Sequence, residues 1–258
     1  MRKPKLLEYV LSKTAVLFLT RLHRLTHRMP IRVRPIERQR VLVVAPHSDD
    51  EVISAGGTLA LHQSAGSVVQ VLYVTSDANA PAESIAARRM VEAKRVSSML
   101  GFELAFLGYP DGSVSLHEPR LARDIGQHIA RFKPDVLLVP FPGDHHRDHQ
   151  ATSAACTRAV AESDFQGEVW CYEIWSTIWP NCAVDIARVV DKKREAINTY
   201  VSQTDGMPYA DAALGLNRYR GLKVQAEHAE AFFVCSKKEF AALGKTLYSI
   251  APSEMRDV

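Results

Sequence analysis

Two clusters of histidine and carboxylate residues carry the chemistry that this sequence offers. Residues 47–51 are His-Ser-Asp-Asp-Glu, and residues 144–149 are Asp-His-His-Arg-Asp-His. Each cluster follows an apolar run, at residues 41–44 and 136–139, that predicts a buried strand. The carboxyl ends of parallel strands form one rim of a sheet, so we expect the two clusters to meet there. Histidines and carboxylates at that rim predict a hydrolytic metal centre.

Three side chains are the predicted metal ligands. His47 and Asp50 are three residues apart across a strand-to-helix turn, which lets both side chains converge on one ion. His149 adds a third ligand from the second cluster. Two histidines and one carboxylate, with a position left for water, form a catalytic zinc pattern. Zn²⁺ is therefore the predicted cofactor, and other divalent metals such as iron or manganese stay open because geometry separates them only weakly.

Three further residues in the clusters are predicted to be catalytic. Asp49 is placed to act as the general base on a water whose pKa the metal lowers towards ~7. His146, three residues before His149, is expected to face the metal as an imidazolium that stabilises the oxyanion or protonates the leaving amine. Asp148 is expected to hydrogen-bond His146 or His149 and fix its tautomer.

Strands and helices alternate through the body of the chain. The predicted strands are 40–44, 68–75, 103–107, 135–140, 168–174 and a short one at 184–189. The predicted helices are 52–65, 84–100, 119–132, 149–162, 191–200 and 210–227. This alternation predicts a three-layer α/β/α sandwich with a mostly parallel sheet.

A dinucleotide-binding fold is the alternative that the first strand, turn and helix raise. Its Gly-x-Gly-x-x-Gly fingerprint is missing, and residues 49–51 are all acidic where the glycines would lie. Carboxylates repel a phosphate and attract a cation. The turn therefore favours metal binding over nucleotide binding.

Composition and charge narrow the class of protein. The 258 residues, 47% of them hydrophobic, suit one large α/β domain. Residues 1–40 hold 11 basic and 2 acidic residues, whereas the rest holds 21 basic and 27 acidic residues. A nucleic-acid enzyme carries its positive charge around the active site, so nucleic acid is not an expected partner. Four cysteines without a Cys-x-x-Cys pair predict free thiols in a reducing, cytoplasmic compartment.

The first 38 residues are predicted to form a basic amphipathic helix and linker ahead of a catalytic domain at 39–258. Apolar residues recur every three or four positions from Leu7 to Met29, and Pro30 follows. The longest apolar run, 15–19, is far shorter than the ~20 residues that span a bilayer. Two interpretations stay open. The helix packs on the domain or on a second subunit, or residues 1–30 lie on the anionic inner face of a membrane.

The two clusters resemble the signatures of the LmbE/PIG-L superfamily of zinc-dependent de-N-acetylases. Residues 45–51 with Gly56-Gly57 resemble its Pro-His-Pro-Asp-Asp-Glu stretch, with Ser48 in place of the second proline. Residues 146–149 resemble its His-x-Asp-His. Shorter similarities in the family's order extend the resemblance over roughly residues 40–235: Arg89-x-x-Glu92 with Leu100-Gly101, Tyr109-Pro110-Asp111-Gly112, and Ala229-Glu230-Ala231-Phe232.

The resemblance implies a Rossmann-like fold and removal of the acetyl group from an N-acetylglucosaminyl unit of a glycoconjugate. It implies that His47, Asp50 and His149 are the metal ligands. It also implies that Asp49 is the base and His146 the oxyanion stabiliser. It also implies that Arg89 and Asp111 contact sugar hydroxyls, with Arg88 as the neighbouring alternative. A hydrolase of another amide or of an ester, and a catalytically silent relative that binds a sugar or a partner protein, stay open. The aglycone and the oligomeric state, a homo-oligomer included, are not indicated.

Several of these residues also have a plain structural explanation. Arg89 could pair with Glu92 at i,i+3, and Asp111 could serve its Pro-Asp-Gly turn. Residues 191–195, Asp-Lys-Lys-Arg-Glu, are most simply a solvated helix face. The three tryptophans fit either a core or a wall on which a sugar stacks: Trp170, Trp175 and Trp179.

Overall fold

The computed structural model of the protein describes residues 30–76, 84–204 and 206–249. The amphipathic helix predicted before Pro30 falls outside these ranges, and so does the choice between packing and membrane contact. Within the described ranges, no helix has both the length and the apolarity that crossing a bilayer requires.

One mixed sheet organises the described residues. Its strands in chain order are β1 (Arg32–Val33), β2 (Arg40–Ala45), β3 (Val68–Thr75), β4 (Glu103–Tyr109), β5 (Val136–Pro140), β6 (Glu168–Tyr172), β7 (Cys182–Asp185) and β8 (Ala229–Ser236). The order across the sheet is β1-β7-β8-β6-β5-β2-β3-β4. Strands β2 to β6 pair parallel with one another, β1 pairs parallel with β7, and β8 runs antiparallel to both β6 and β7.

Helices cover both faces of the sheet. They are α1 (Asp50–Ser64), α2 (Ile85–Leu100), α3 (Glu118–Phe132), α4 (Arg147–Glu162), α5 (Val190–Thr199), α6 (Val201–Thr204), α7 (Tyr209–Leu222) and α8 (Lys237–Ser249), with short 3₁₀ turns at Val114–His117 and Ala187–Val189. One core lies between the sheet and α1, α2, α5 and α7, and the other between the sheet and α3, α4 and α8. The three-layer α/β/α prediction with a mostly parallel sheet is confirmed.

Strand β2 shows why the apolar runs are continuous. Successive side chains of a strand point to opposite faces, so Val41 and Val43 enter one core while Leu42 and Val44 enter the other. All four are completely buried. Each contributes about 1.5–3 kcal/mol through the burial of its apolar surface. A strand covered by helices on both faces therefore has no polar positions.

Three sequence predictions differ from the structure in the last third of the chain. The short strand predicted at 184–189 is observed at Cys182–Asp185, and Ala187–Val189 form a 3₁₀ turn. The helix predicted at 210–227 ends at Leu222, and Gln225 adopts a φ of 60° that no α-helix continues. Residues 191–195 are not a solvated face throughout, because Lys193 is completely buried. Its Nζ donates to Glu230 Oε1 (2.6 Å) and to the Ile53 carbonyl (2.9 Å).

The fold brings the two histidine clusters to one place. Strands β2 and β5 are adjacent and in register from Val41 opposite Val136. The first cluster fills the turn from β2 to α1, and the second fills the loop from β5 to α4. Because both strands are parallel, both turns lie at the same rim of the sheet.

Helix α1 is kinked one turn after it begins. Ala55 has φ −135° and ψ 15°, which interrupts the helical hydrogen bonds. The free N–H groups of Gly57 and Thr58 donate instead to the two oxygens of Glu230, at 2.8 and 2.7 Å. A Cβ on Gly57 would lie 2.7 Å from Ile186 Cγ2, so glycine is what allows α1 to approach Ile186 this closely.

Candidate metal centre

Three donor atoms from the two clusters form a nearly regular triangle. His47 Nδ1 lies 3.2 Å from Asp50 Oδ2 and 3.3 Å from His149 Nε2. His149 Nε2 lies 3.2 Å from Asp50 Oδ2. Tetrahedral donors about 2.0–2.1 Å from a zinc ion lie about 3.3–3.4 Å from one another. The predicted ligands thus come together with the spacing of one face of a tetrahedron, and this donor set fits the metal.

The donors are held rigidly and away from solvent. Asp50 is 3% exposed and His149 is completely buried. Asp50 Oδ2 also accepts a hydrogen bond from the His47 backbone N–H at 2.8 Å, which fixes its orientation at the start of α1. A buried cluster of unlike charges with fixed geometry is what a pre-formed cation site requires.

A second acidic group lies on the far side of the His47 ring. His47 Nε2 is 3.2 Å from Asp148 Oδ2 and 3.3 Å from Asp111 Oδ1. These three residues could also group around an ion. However, Asp148 already accepts hydrogen bonds from the backbone N–H groups of Gly112 (2.7 Å) and Val114 (3.3 Å). An imidazole that binds a metal through one nitrogen usually donates the other N–H to a carboxylate, so Asp148 and Asp111 are suited to orient His47.

Asp148 hydrogen-bonds His146, as predicted, but through its backbone N–H (3.2 Å) and not through its carboxylate. The carboxylate lies against His47 Nε2 and the backbone N–H groups of Gly112 and Val114. Asp144 takes the expected place instead, with Oδ1 3.4 Å from His149 Nδ1. Asp144 begins the same cluster as His149, but its sequence position alone does not indicate this role.

His146 lies beside both histidine ligands. Its ring centre is 5.0 Å from that of His47 and 4.8 Å from that of His149. Its Nδ1 accepts the Asp148 backbone N–H at 3.2 Å and so caps α4. Burial and the neighbouring positive imidazoles lower the pKa of His146. Because Nδ1 accepts a backbone N–H, the neutral form of the ring carries its proton on Nε2.

Asp49 adopts a backbone conformation that is rare for any residue but glycine. Its φ is 127°, and such strain persists only where neighbouring contacts impose it. One such contact is the Asp49 N–H, which donates to Glu51 Oε2 at 3.0 Å. The other oxygen of Glu51 accepts the Tyr200 hydroxyl at 2.5 Å, and Tyr200 lies 3.1 Å from the Tyr73 hydroxyl. This chain of three buried residues was not found from the sequence.

The three carboxyl groups of the first cluster have pKa values that their surroundings shift in different directions. Burial raises the pKa of Asp49, and the charges of Asp50 and Glu51 raise it further. Burial would also raise the pKa of Asp50, but His149 and His47 hold it well below its usual range. Burial raises the pKa of Glu51 to about 7, against the opposing hydrogen bond from Tyr200. Asp50 is thus a permanent anion, and Asp49 is a stronger base than a free aspartate.

The surrounding carboxylates raise the pKa values of the two proposed histidine ligands. Burial lowers the pKa of His47, but hydrogen bonds with Asp111, Asp148 and Asp50 more than reverse this and raise it. Burial also lowers the pKa of His149, whereas Asp50 and Asp144 raise it to about 9. Without an ion, positive charge on these rings balances the carboxylates, and a cation would replace it.

Arg89 and Asp111 lie together at the edge of a cleft beside the centre. Arg89 Nη1 donates to Asp111 Oδ2 at 2.8 Å. The structural alternative of an Arg89–Glu92 pair is wrong, because Glu92 accepts the N–H (2.9 Å) and the hydroxyl (2.5 Å) of Ser202. The cleft has a volume of about 570 Å³, and Ser76 also lines it. Arg88 is not among its lining residues in the described part of the chain.

A larger groove, of about 880 Å³, lies at the opposite rim of the sheet. Its lining includes Lys133, Pro134 and Gly167, which precede β5 and β6, and it contains none of the predicted site residues. Its size alone does not connect it with the clustered histidines.

Residues 42–160 match the family model described as GlcNAc-PI de-N-acetylase (PIG-L). That span contains all three donors of the triangle. The chain carries a domain of the PIG-L (LmbE-like) family. The resemblance stated from the two clusters is therefore confirmed.

Named relatives agree with this PIG-L assignment. The chain is 28% identical over 184 residues to a probable N-acetyl-alpha-D-glucosaminyl L-malate deacetylase 2 of Bacillus anthracis, covering 64% of this chain and 81% of that protein. It is 28% identical over 190 residues to the diacetylchitobiose deacetylase of Thermococcus kodakarensis, covering 64% of this chain and 70% of that protein.

A solved structure extends the comparison to the fold. N,N'-diacetylchitobiose deacetylase from Pyrococcus horikoshii superposes with a TM-score of 0.69 at 23% identity, covering 93% of this chain and 97% of that chain. At this identity the likeness shows the fold alone. The PIG-L-type chain is therefore an amidohydrolase. This follows from the family, from the deacetylase relatives and from residues in the matched span that could hold a metal ion.

Proposed function

We propose that this protein is a zinc-dependent deacetylase that hydrolyses the N-acetyl group of an N-acetylglucosamine-type sugar in a glycoconjugate. The observation that carries the proposal is the triangle of His47, Asp50 and His149 donors, with Asp49 beside it. The relatives named as deacetylases of N-acetylglucosaminyl compounds support the substrate class. Donors of two nitrogens and one oxygen suit zinc, and other divalent metals can occupy the same set.

The proposed reaction is attack of water on the amide carbonyl. Zn²⁺ held by the three donors supplies Lewis acidity that polarises the carbonyl and acidifies the attacking water. Asp49, whose pKa is raised, accepts the proton of that water as the hydroxyl bonds to the carbonyl carbon. As the carbon–nitrogen bond breaks, the same proton passes to the nitrogen, which leaves as a free amine beside acetate.

His146 is the proposed stabiliser of the oxyanion. Because its Nδ1 accepts the Asp148 N–H, its Nε2 carries the proton and can donate to the developing negative charge. A neutral imidazole suffices as a hydrogen-bond donor in this role. Asp148 is proposed as a positioning residue. Its backbone N–H orients His146, and its carboxylate orients the His47 ring.

The cleft of about 570 Å³ beside the centre is the proposed sugar site. Its lining is mostly uncharged, and its one ion pair, Arg89 with Asp111, is satisfied internally. Arg89 Nε and the Ser76 hydroxyl are buried without a hydrogen-bond partner among the described residues. Buried polar groups are normally paired, so these two are suited to meet the hydroxyls of a neutral sugar.

The test combines metal analysis with amine release. We expect about one zinc ion per chain for the three-donor site, and equal amounts of amine and acetate from N-acetylglucosaminides. N-acetyl amino acids and acetate esters serve as the competing substrate classes. His149→Ala should lose the metal and the activity, whereas His145→Ala, an exposed neighbour in the same loop, should keep both.

The competing interpretations predict other results. Stoichiometric metal with turnover of esters or amino-acid amides, and none of the sugars, would indicate a hydrolase of another class. Metal binding and sugar binding without any hydrolysis would indicate a catalytically silent relative.

A further inference from the structure

A small cavity lies at the same rim as the metal centre, between α1, α7 and the segment that follows β6. We call it the Trp175 pocket, and it is lined by Ile53, Trp175, Tyr209, Leu216 and Asn217 among others. Its volume is about 130 Å³. A cavity of about 150 Å³ holds one benzene molecule, so the Trp175 pocket has room for one ring.

The order of the strands places the Trp175 pocket opposite the proposed sugar site. The metal donors follow the adjacent strands β2 and β5. The 570 Å³ cleft is built on residues that end or follow β3 and β4, such as Thr75 and Asp111. Trp175 follows β6, on the other side of β5. The metal centre therefore lies between the cleft and the Trp175 pocket.

Short hydrogen-bonded links join the Trp175 pocket to the centre. The backbone N–H of Trp175 donates to Asp144 Oδ2 at 3.2 Å. The other oxygen of Asp144, Oδ1, lies 3.4 Å from His149 Nδ1. The hydroxyl of Ser54, another lining residue, donates to the Asp50 carbonyl at 2.6 Å. None of the three donor residues lines the pocket. Its occupant would therefore lie beside the centre without contacting the three donors.

The covalent structure of the substrate class matches this arrangement. In a 2-acetamido sugar the scissile nitrogen is on C2, between C1 with the aglycone and C3 with the first ring hydroxyl. A sugar whose C3 and C4 hydroxyls enter the cleft directs its C1 substituent to the opposite side of the metal. The acetyl methyl group is too close to the carbonyl to reach the Trp175 pocket.

The Trp175 pocket offers no free charge to its occupant. Among the described residues that line it, Glu173 is the only acidic or basic side chain. Its two oxygens accept from Arg220 Nε (2.9 Å) and Nη2 (2.5 Å). A charged aglycone would therefore lose its hydration without gaining an ionic partner.

Two side chains of the Trp175 pocket have unused capacity for a ligand. Trp175 is 52% exposed, and its ring meets that of Tyr209 at 77° with centres 6.0 Å apart, which leaves indole surface open for stacking. Asn217 is 5% exposed, and its Oδ1 has no hydrogen-bond partner among the described residues. A buried carboxamide in an apolar pocket favours a hydroxyl group on the ligand.

We propose that the Trp175 pocket is the aglycone subsite and that it selects an uncharged, ring-shaped aglycone bearing a hydroxyl group over a small or anionic one. This inference rests on the proposed function, because it takes the scissile amide to lie at the metal. Trp175 supplies the stacking surface, and Asn217 supplies the polar contact.

The test compares four 2-acetamido-2-deoxyglucosides, in both anomeric forms, with methyl, benzyl, 4-hydroxybenzyl and carboxymethyl aglycones. We expect kcat/KM for the benzyl compound to exceed that for the methyl and carboxymethyl compounds about 10-fold, from stacking and burial of the ring. The hydroxyl group should add about 3-fold more through Asn217. Calorimetric titration of the zinc-loaded protein with the same four compounds measures binding independently of turnover.

Variants assign the preference to its residues. Trp175→Ala should bring the benzyl-to-methyl ratio close to one, and Trp175→Phe should restore part of it. Trp179→Ala is the matched control, since Trp179 is 46% exposed in the same segment but does not line the pocket. Asn217→Leu should remove the advantage of the hydroxyl group and leave the benzyl preference.

The outcomes separate this inference from the proposed function. Equal kcat/KM for methyl and benzyl compounds, a preference for carboxymethyl, or an unchanged ratio in Trp175→Ala would overturn the aglycone subsite. If none of the four compounds releases amine, the proposed function fails. Calorimetry then tests the pocket on its own. If the benzyl compound binds more tightly than the methyl compound and Trp175→Ala abolishes this difference, the ring-binding role of the pocket is supported. If the two compounds bind equally, that role is overturned.

Discussion

Asp49 is the residue whose conformation most directly reports on chemistry. Its φ of 127° costs about 1–3 kcal/mol relative to an ordinary backbone conformation. The hydrogen bond from its N–H to Glu51, itself fixed by Tyr200, helps to offset that cost. Although Asp49 lies at the N-cap position of α1, its side chain makes no cap hydrogen bond. A side chain held in this way is available for proton transfer.

Asp49→Asn separates metal binding from catalysis. The amide keeps the size of the side chain but cannot accept a proton from water. We expect the zinc content to stay unchanged and kcat to fall about 10²- to 10⁴-fold, the usual contribution of a general base. Metal analysis and steady-state amine release on the same preparation measure both. Full turnover in Asp49→Asn would remove Asp49 from the mechanism.

The pKa of His149 sets a pH dependence for metal binding. Burial lowers this pKa, but Asp50 and Asp144 raise it to about 9, above the ~6.5 of an exposed histidine. Because a metal binds only the unprotonated nitrogen, the proton on His149 should weaken metal affinity about tenfold for each pH unit below about 9, and the proton on His47, whose pKa is also raised, adds to this slope. Competition with a chelator between about pH 6.5 and pH 9.5 measures the slope, and a flat profile would contradict the assignment of His149 as a ligand.

Asp144→Asn provides the control for that slope. Removing the charge beside His149 Nδ1 lowers the pKa of the ring, so the decline in affinity should begin at a lower pH. The metal-free protein should show the opposite trend in stability. The protonated ring stabilises the fold fully below the unfolded pKa of ~6.5, and this contribution is lost as the pH rises through about 9.

At the scale of elements, helix α1 is shaped by contacts from the last third of the chain. Its kink at Ala55 frees two N–H groups for Glu230 on β8. Lys193 on α5 neutralises that carboxylate, and all of these side chains are completely buried. Breaking a buried ion pair leaves an uncompensated charge that costs several kcal/mol. The kink is therefore fixed, and with it the direction in which Asp50 enters the site.

Gly57→Ala tests how closely α1 packs. The added Cβ would lie 2.7 Å from Ile186 Cγ2 and 2.8 Å from Ile186 Cβ, so either backbone must shift. We expect the free energy of unfolding to fall by about 1–3 kcal/mol. Gly126→Ala in α3 is the matched control, because its Cβ would meet nothing within 4 Å. That change should raise stability by about 0.5–1 kcal/mol, since alanine favours a helix. Equal effects in denaturant titrations would contradict the close contact.

The central elements could be predicted from the sequence, and β8 could not. Strands β2 and β5 are short continuous apolar runs, which local pattern alone identifies. Of the residues in β8, only 229–232 were singled out from the sequence, as a stretch that resembles the family. The strand Ala229–Ser236 depends on pairing with β6 about 60 residues earlier. Asp144, Tyr200 and Lys193 were missed for the same reason. Their partners are set by tertiary packing and leave no local signal.

At the scale of the whole molecule, a metal held by the three proposed donors would link the two strand-to-helix turns that meet at the rim. Removal of the metal leaves like-charged carboxylates and protonated imidazoles close together. Binding of a ligand to the folded state alone stabilises it by about 2.7 kcal/mol when the free ligand is 100 times its Kd.

Thermal unfolding with and without metal measures this link. For a chain of this size we expect zinc at 100 times its Kd to raise the Tm by about 5–10 °C. Asp50→Ala should abolish the shift, and His145→Ala should preserve it. A shift of the same size in Asp50→Ala would show that zinc stabilises the protein from some other site.

All three donors lie between residues 47 and 149, whereas the groups that shape their surroundings come from Lys193, Tyr200 and Glu230. A nascent chain that has reached residue 160 therefore contains every proposed ligand and the carboxylates Asp111, Asp144 and Asp148, but not these three later residues. We expect the kink of α1, and with it the final direction of Asp50, to form only after β8 has been synthesised and has paired with β6. A polypeptide truncated before β8 should therefore leave its histidines loosely arranged.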